Sequence, residues 1–259
     1  MTGRVALITG ASAGIGYELA KIFASKGHRV ALVARRIDRL QTLSEEIVKA
    51  GGIEPLIIAC DLQSAEAGDV ISAALKAADV EAEYLVNNAG FGLYGEWLRL
   101  DRAEQLSMID VNVRALTDLS LRFVDSLARH RGGILNVASL SSFLPGPRMA
   151  VYYATKAYVL SFSEALFCEL APRGVRVTAL CPGPVPTEFQ QRAGFQPGLD
   201  SKVLNVPADK VAMAGYQGLM AGKRLVLPGW GMKVIPFMLR FVPRGLLVSL
   251  VGRVQRSRG

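Results

Sequence analysis

The chain has 259 residues, of which 51% are hydrophobic and 20% charged, enough apolar material for one large core and too little net charge per residue for a disordered chain. No charge-free apolar run approaches the roughly 20 residues that a membrane-spanning helix needs. Of the 30 Lys/Arg residues behind the net charge of +8, nine lie in 210–259, where there is no Asp or Glu; the first 209 residues carry 21 basic against 22 acidic residues. The basic excess therefore belongs to the tail, and no interleaved aromatic-basic platform speaks for nucleic acid.

In chain order, short apolar runs alternate with longer helical segments. Strands are expected at 5–9, 29–34, 54–59, 84–88, 133–138, 175–181 and 225–227. Most are continuous apolar runs, as strands covered on both faces should be. Helices are expected at 14–26, 37–50, 65–78, 101–129, 151–170 and 208–221, several followed by a glycine stop such as Gly27, Gly51 or Gly174. This alternation predicts an α/β fold, a doubly wound parallel sheet with helices on both faces. Residues 1–228 read as one domain and 229–259 as an apolar, basic extension of it. No leader is read before the strand at Val5. Cys60, Cys168 and Cys181 are odd in number, and each sits in an apolar segment, so buried free thiols in a reducing, cytoplasmic compartment are expected. His28 and His130 make no Cys/His cluster, so no metal site is expected.

The first strand runs into Thr9-Gly10-Ala11-Ser12-Ala13-Gly14-Ile15-Gly16. Glycines at this place allow a tight turn and close backbone approach to a pyrophosphate, and the helix that follows aims its N-terminal N–H groups at the negative charge. The motif points to a Rossmann-type dinucleotide site. The second strand ends Val33-Ala34-Arg35-Arg36. Where an NAD site usually holds an acid there is Ala34, and two guanidinium groups follow, which favours NADP(H) over NAD(H) through a 2′-phosphate. The competing reading is that Arg35 and Arg36 begin a solvated helix. Asp61 is equally suited to accept from an adenine amino group or to cap the next helix; Leu62 is placed with it in the cofactor site.

Tyr152 and Lys156 stand at i and i+4 of an expected helix and so share a face. An ammonium beside a phenol lowers the phenol pKa from about 10 toward neutrality. Tyr153 cannot share this geometry and is read as packing. These pieces fall in the order of one family. The glycine motif, Asn87-Asn88-Ala89-Gly90 after the fourth strand, Asn112 in a long helix, Ser139 thirteen residues before Tyr152, Tyr152-x3-Lys156, and Pro182-Gly183 after the sixth strand together resemble the short-chain dehydrogenase/reductases over residues 4–190.

The resemblance implies an NADP-dependent oxidoreductase acting on a carbonyl or secondary alcohol. Tyr152 would be general acid or base, and Ser139 would bond the substrate oxygen, with Ser141 and Ser142 left to turn roles. Lys156 would bind nicotinamide ribose hydroxyls and depress the tyrosine pKa. Asn112 would hold a relay water, and Thr187 would contact the carboxamide. Gly10, Ser12, Gly14, Ile15, Gly16, Arg35, Arg36, Asp61, Leu62, Asn88, Ala89, Gly90, Pro182 and Gly183 would complete the cofactor site. One departure is Ala13, where many NADP-using relatives carry a basic residue.

The expected rim of the site is apolar, from Phe91, Leu93, Tyr94, Phe143, Leu144, Pro145, Met149, Phe189 and Phe195, with no fixed cation among them. A hydrophobic ketone or alcohol is the expected substrate, and the segment 91–98 and the loop 185–204 are read as closing over it, the second as a lid. In the tail, two short apolar helices broken by Pro243 are expected. Trp230, Phe237 and Phe241 with Lys233, Arg240 and Arg244 suit a membrane surface. Packing on the core, on the pocket or on a second subunit is the favoured alternative. The resemblance also implies a homodimer or homotetramer built on the helices at 101–129 and 151–170. The competing functions are a non-catalytic cofactor-binding regulator and a peripheral membrane protein on the same fold.

Overall fold

The structure, a computed structural model, describes residues 3–194, 205–229, 235–239 and 241–256. Seven parallel strands, β1 (Gly3–Thr9), β2 (Val30–Ala34), β3 (Leu56–Ala59), β4 (Val80–Asn87), β5 (Gly133–Val137), β6 (Arg176–Leu180) and β7 (Leu225–Val226), form one sheet in the order β3-β2-β1-β4-β5-β6-β7. Ile8 lies opposite Leu32 on one side and Val86 on the other, and the β1–β4 register shifts once, between Val5 and Ala6. β2 and β5 are buried along their whole length, the outcome expected when helices cover both faces.

One face carries α1 (Gly14–Ser25), α2 (Ile37–Lys49) and α8 (Ala208–Met220); Leu19, Phe23, Leu40, Leu43 and Leu219 seal it against Ile8, Leu32 and Val86. The other carries α3 (Ala67–Ala77), α4 (Arg102–Ile109), α5 (Leu116–Arg129) and α6 (Ala150–Glu169), with Ile71, Met108, Leu119 and Leu127 on Leu7, Leu85 and Ile134. Truncating a fully buried leucine such as Leu7 or Leu32 costs about 2–5 kcal/mol in cores of this kind.

The structure departs from the expected elements in three places. The single helix expected at 101–129 is α4 and α5 joined by a π-helical segment, Asp110–Ala115, that carries Asn112. The expected lid loop contains a helix, α7 (Glu188–Ala193), with Thr187 as N-cap; residues 195–204 lie outside the described residues. In the tail, α9 (Ile235–Leu239) is short, but α10 (Arg244–Arg256) is a full helix of 13 residues beyond Pro243. Cys60 and Cys181 are buried thiols as expected, whereas Cys168 is exposed, because it falls on the outer face of α6. No described helix is long and apolar enough to cross a membrane, and no metal-ligand cluster occurs among the described residues.

Candidate active site

The order of the strands reverses between β1 and β4, so the loops leaving their carboxyl ends part and open a crevice. A cavity of about 960 Å³ lies there. Two glycines let the backbone approach it. Gly10 has φ +66°, and a Cβ on it would fall 2.8 Å from Ala89 Cα; Gly14 has φ +59° and faces Thr187, with Cγ2 at 3.1 Å from such a Cβ. α1 begins at Gly14 behind Ala13, which has no side chain to cap it, so its first N–H groups stay available to an anion. Asn88 braces the turn: its Nδ2 donates to Thr9 O at 2.9 Å and to Gly10 O at 3.1 Å. Gly16 does not line the cavity. A Cβ there would fall 2.3 Å from Asn88 Nδ2, so Gly16 keeps the helix close to the brace.

Ser139, Tyr152 and Lys156 meet at the carboxyl end of β5, on the wall opposite the glycine loop. Ser139 caps a 3-10 turn, its Oγ accepting from Ser141 N at 3.1 Å. Ser142 is turned away and donates to Lys156 O at 2.7 Å. Lys156 Nζ donates to Val137 O at 2.7 Å and lies 5.9 Å from the Tyr152 ring centre. Asn112 lies behind this group and not in the cavity wall. Its Oδ1 accepts from Phe91 N at 3.1 Å, and its Nδ2 donates to Phe91 O at 3.0 Å and Thr155 Oγ1 at 3.1 Å. These bonds fix the turn after β4 to α6 and give the π segment its purpose: the extra residue swings Asn112 inward.

Residues 4–197 match the family described as short chain dehydrogenase. The chain belongs to that family. It is 38% identical over 185 residues to a sulfoacetaldehyde reductase of Chromohalobacter salexigens, covering 70% of this chain and 72% of that one. Among solved structures it is similar to a short-chain dehydrogenase of Sphingobium yanoikuyae in complex with NADPH (30% identity, TM-score 0.81, 94% of each chain). It is also similar to a 3-ketoacyl-(acyl-carrier-protein) reductase of Brucella melitensis complexed with NADH (31% identity, TM-score 0.77, 87% of this chain and 96% of that one). This short-chain dehydrogenase is thus an oxidoreductase of CH–OH and C=O groups.

Its electrostatics are set by burial. Desolvation pushes the Tyr152 phenol up to about 12, against the hydroxyl of Ser139, which favours the phenolate; Ser141 Oγ turns the same way, buried and without closing a hydrogen bond. Desolvation also pulls Lys156 down to about 8. The expected lowering of the phenol by Lys156 is not found, because the ammonium is directed at Val137 O and both charged forms are penalised by the dry site.

Of the residues read from the sequence, Gly10, Ser12, Gly14, Ile15, Arg35, Arg36, Asp61, Leu62, Asn88, Ala89, Gly90, Ser139, Tyr152, Lys156, Pro182, Gly183 and Thr187 all border the one cavity. Asp61 caps no helix: it is 3.8 Å from Arg35, and its Oδ1 accepts from Gln63 N. Arg36, the exposed residue at the start of α2, is paired with Glu188 at 2.8 Å and donates to Ser12 Oγ at 3.1 Å. Of the expected rim, Phe91, Leu144, Met149 and Phe189 line the cavity, whereas Leu93, Tyr94, Phe143 and Pro145 do not; Phe195 lies outside the described residues. The expectation of no fixed cation is corrected: Arg192 of α7 borders the cavity. Thr187-x-x-Gln190 has the spacing of a capping box and was the available sign of α7. Leu250, Val251, Val254 and Gln255 of α10 also line the cavity, a contact that hydropathy alone does not reveal.

Proposed function

We propose that this short-chain dehydrogenase moves hydride between NADP(H) and an apolar ketone or secondary alcohol, with Tyr152 as proton donor and acceptor. The observation that carries this reading is the convergence of Ser139, Tyr152 and Lys156 on the same cavity as the uncapped start of α1. The charged groups bordering that cavity are Arg35, Arg36, Lys156 and Arg192 against Asp61 and Glu188, a balance that fits a polyphosphate ligand. Arg35 and Arg36, with Ala34 in the place of an acid, favour NADP, and the NADPH complex of the Sphingobium enzyme supports that choice. When bound, the nicotinamide supplies or accepts the hydride.

The chain's own residues do the rest. Ser139 Oγ donates to the substrate oxygen, and the Tyr152 hydroxyl gives it a proton in reduction or, as phenolate, takes one in oxidation. Lys156, whose Nζ donates to Val137 O, would hold the ribose hydroxyls of the nicotinamide half when the cofactor is bound. Asn112 positions Phe91 and Thr155 around them. Met149, Phe189, Leu250, Val251 and Val254 make the substrate end apolar. The test is Tyr152→Phe, with Phe reproducing the ring: turnover of apolar ketones should fall by more than about a thousandfold while NADPH binds as before. Normal turnover would remove Tyr152 from the mechanism, and the complete set of proton-handling groups is what speaks against a regulator without turnover.

Two finer readings go with it. The chain assembles as a homo-oligomer through the outer faces of α5 and α6, where Leu121 is 70% exposed and Tyr158 stacks on Phe162. A peripheral contact with anionic lipid is supported by exposed Phe237, Met238, Phe241 and Leu246 beside Arg244, Arg253 and Arg256. Trp230, Lys233 and Arg240, read with that surface, lie outside the described residues.

A further inference from the structure

Arg192 is the cavity's unassigned cation. Arg35 has Asp61 at 3.8 Å, Arg36 has Glu188 at 2.8 Å, and Lys156 has Val137 O; among the described residues Arg192 has neither an ion pair nor a hydrogen bond. Its guanidinium lies 4.0 Å from the centre of the Phe91 ring, which is itself buried, and both residues border the cleft, so the ring supports the cation at its edge.

α7 holds it there from both ends. At its start Glu188 is paired with Arg36, with Arg39 at 3.8 Å, and Thr187 touches the glycine loop at Gly14. At its end Tyr94 N donates to Ala193 O at 2.8 Å. Between them Phe189 packs on Tyr152, the ring centres 5.3 Å apart. The helix is therefore a strap from the β2 side of the crevice to the turn after β4. Burial, Arg35 and Arg36 disfavour the charged form of Arg192 while Glu104 and Asp61 favour it, and the net direction is downward, so Arg192 feels the two guanidinium groups at the end of β2. An anion of two or more charges placed among them would relieve that repulsion.

We propose that Arg192 is a phosphate-binding residue which reaches the dinucleotide from α7 and forms, with Arg35 and Arg36 at the end of β2, a three-arginine clamp. This rests on the dinucleotide reading of the cavity. It gives α7 a role in cofactor affinity, in a chain whose glycine loop carries Ala13 and no cation of its own. The shared chemistry is a phosphate group; the bridging diphosphate and the 2′-phosphate are its two sources.

The experiment is a fluorescence titration of the full chain with NADPH and with NADH, for the wild type, Arg192→Gln and Arg192→Lys, at low and at high salt. Arg192→Gln should raise the NADPH Kd by about tenfold or more at low salt, the usual worth of a charge-assisted hydrogen bond. The difference should shrink as salt screens it, and Lys should restore part of the affinity. An equal rise for NADH assigns Arg192 to the diphosphate; a rise for NADPH alone assigns it to the 2′-phosphate. Unchanged Kd for both cofactors overturns the clamp, and more so if the KM of a carboxylate- or sulfonate-bearing aldehyde rises instead, which would place Arg192 on the substrate. A wild-type protein that binds neither cofactor overturns the functional reading and the clamp with it, whereas wild-type binding with an indifferent Arg192→Gln overturns the clamp alone.

Discussion

Burial is the largest influence on both Tyr152 and Lys156, and it acts on them in opposite directions. Lys156 falls from 10.5 in the unfolded chain to about 8, so the folded protein releases that proton first. Its cost to stability is full below pH 8 and disappears as pH rises from 8 to 10.5. Tyr152 rises from 10.0 to about 12; its contribution is present below pH 10 and lost as pH climbs toward 12. Lys156→Met should therefore stabilise the protein at neutral pH by about 1–2 kcal/mol, after allowing for the lost bond to Val137 O, while removing turnover. Urea midpoints at neutral pH and at about pH 10 check this: the gain should shrink at the higher pH, and a loss of stability at neutral pH would show that the buried amine is not a burden. For activity, alcohol oxidation needs the phenolate and should accelerate with rising pH, while carbonyl reduction, which needs the phenol, should stay level through the neutral range.

At the scale of elements, α10 lines the cavity with Leu250, Val251, Val254 and Gln255, the part proposed to receive the substrate. It is fastened by Gln255, whose Nε2 donates to Tyr153 OH at 2.8 Å and whose backbone oxygen accepts from Tyr94 OH, and by Gly252 against Pro147. Tyr153 is thus more than packing: it anchors the helix that walls the pocket. Val251→Trp should lower kcat/KM for bulky ketones by about tenfold or more with NADPH affinity unchanged, since it fills space at the substrate end only. Equal loss for small and bulky ketones would count against a pocket wall. The π segment is the second deciding element. Asn112→Ala gives up three hydrogen bonds in a buried place, leaving the Phe91 backbone unpaired, and should cost about 2–4 kcal/mol in denaturant unfolding.

For the whole molecule, the helices α5 and α6 leave Leu121 and Tyr158 exposed, the surface on which the proposed oligomer is tested. Leu121→Arg should shift the mass seen by light scattering toward the monomer at unchanged fold; an unchanged mass would remove α5 from the interface. The exposed side chains of α9 and α10 make a separate patch, next to the substrate end. Flotation with vesicles of anionic lipid should depend on residues 229–259, and equal flotation without them would end the membrane reading.

The sequence alone determined the sheet, the glycine cradle and the pairing of Tyr152 with Lys156, because each depends on local spacing: continuous apolar strands, glycines at a strand-to-helix turn, and two side chains one helical turn apart; Ser139 came with the family resemblance. The strand ends differ by only a few residues from those expected. What the tertiary structure decided depends on residues far apart in the chain. Arg36 meets Glu188 across 152 positions and Tyr94 meets Gln255 across 161, separations at which no periodicity carries information. The π segment is not read from the hydrophobic pattern because it is a change of backbone hydrogen bonding, seen only once Asn112 is bonded to Phe91 and Thr155. The pKa values follow the same division. Spacing places Lys156 beside Tyr152, but only the packed site shows that burial and the Val137 carbonyl, not the tyrosine, govern where the ammonium points.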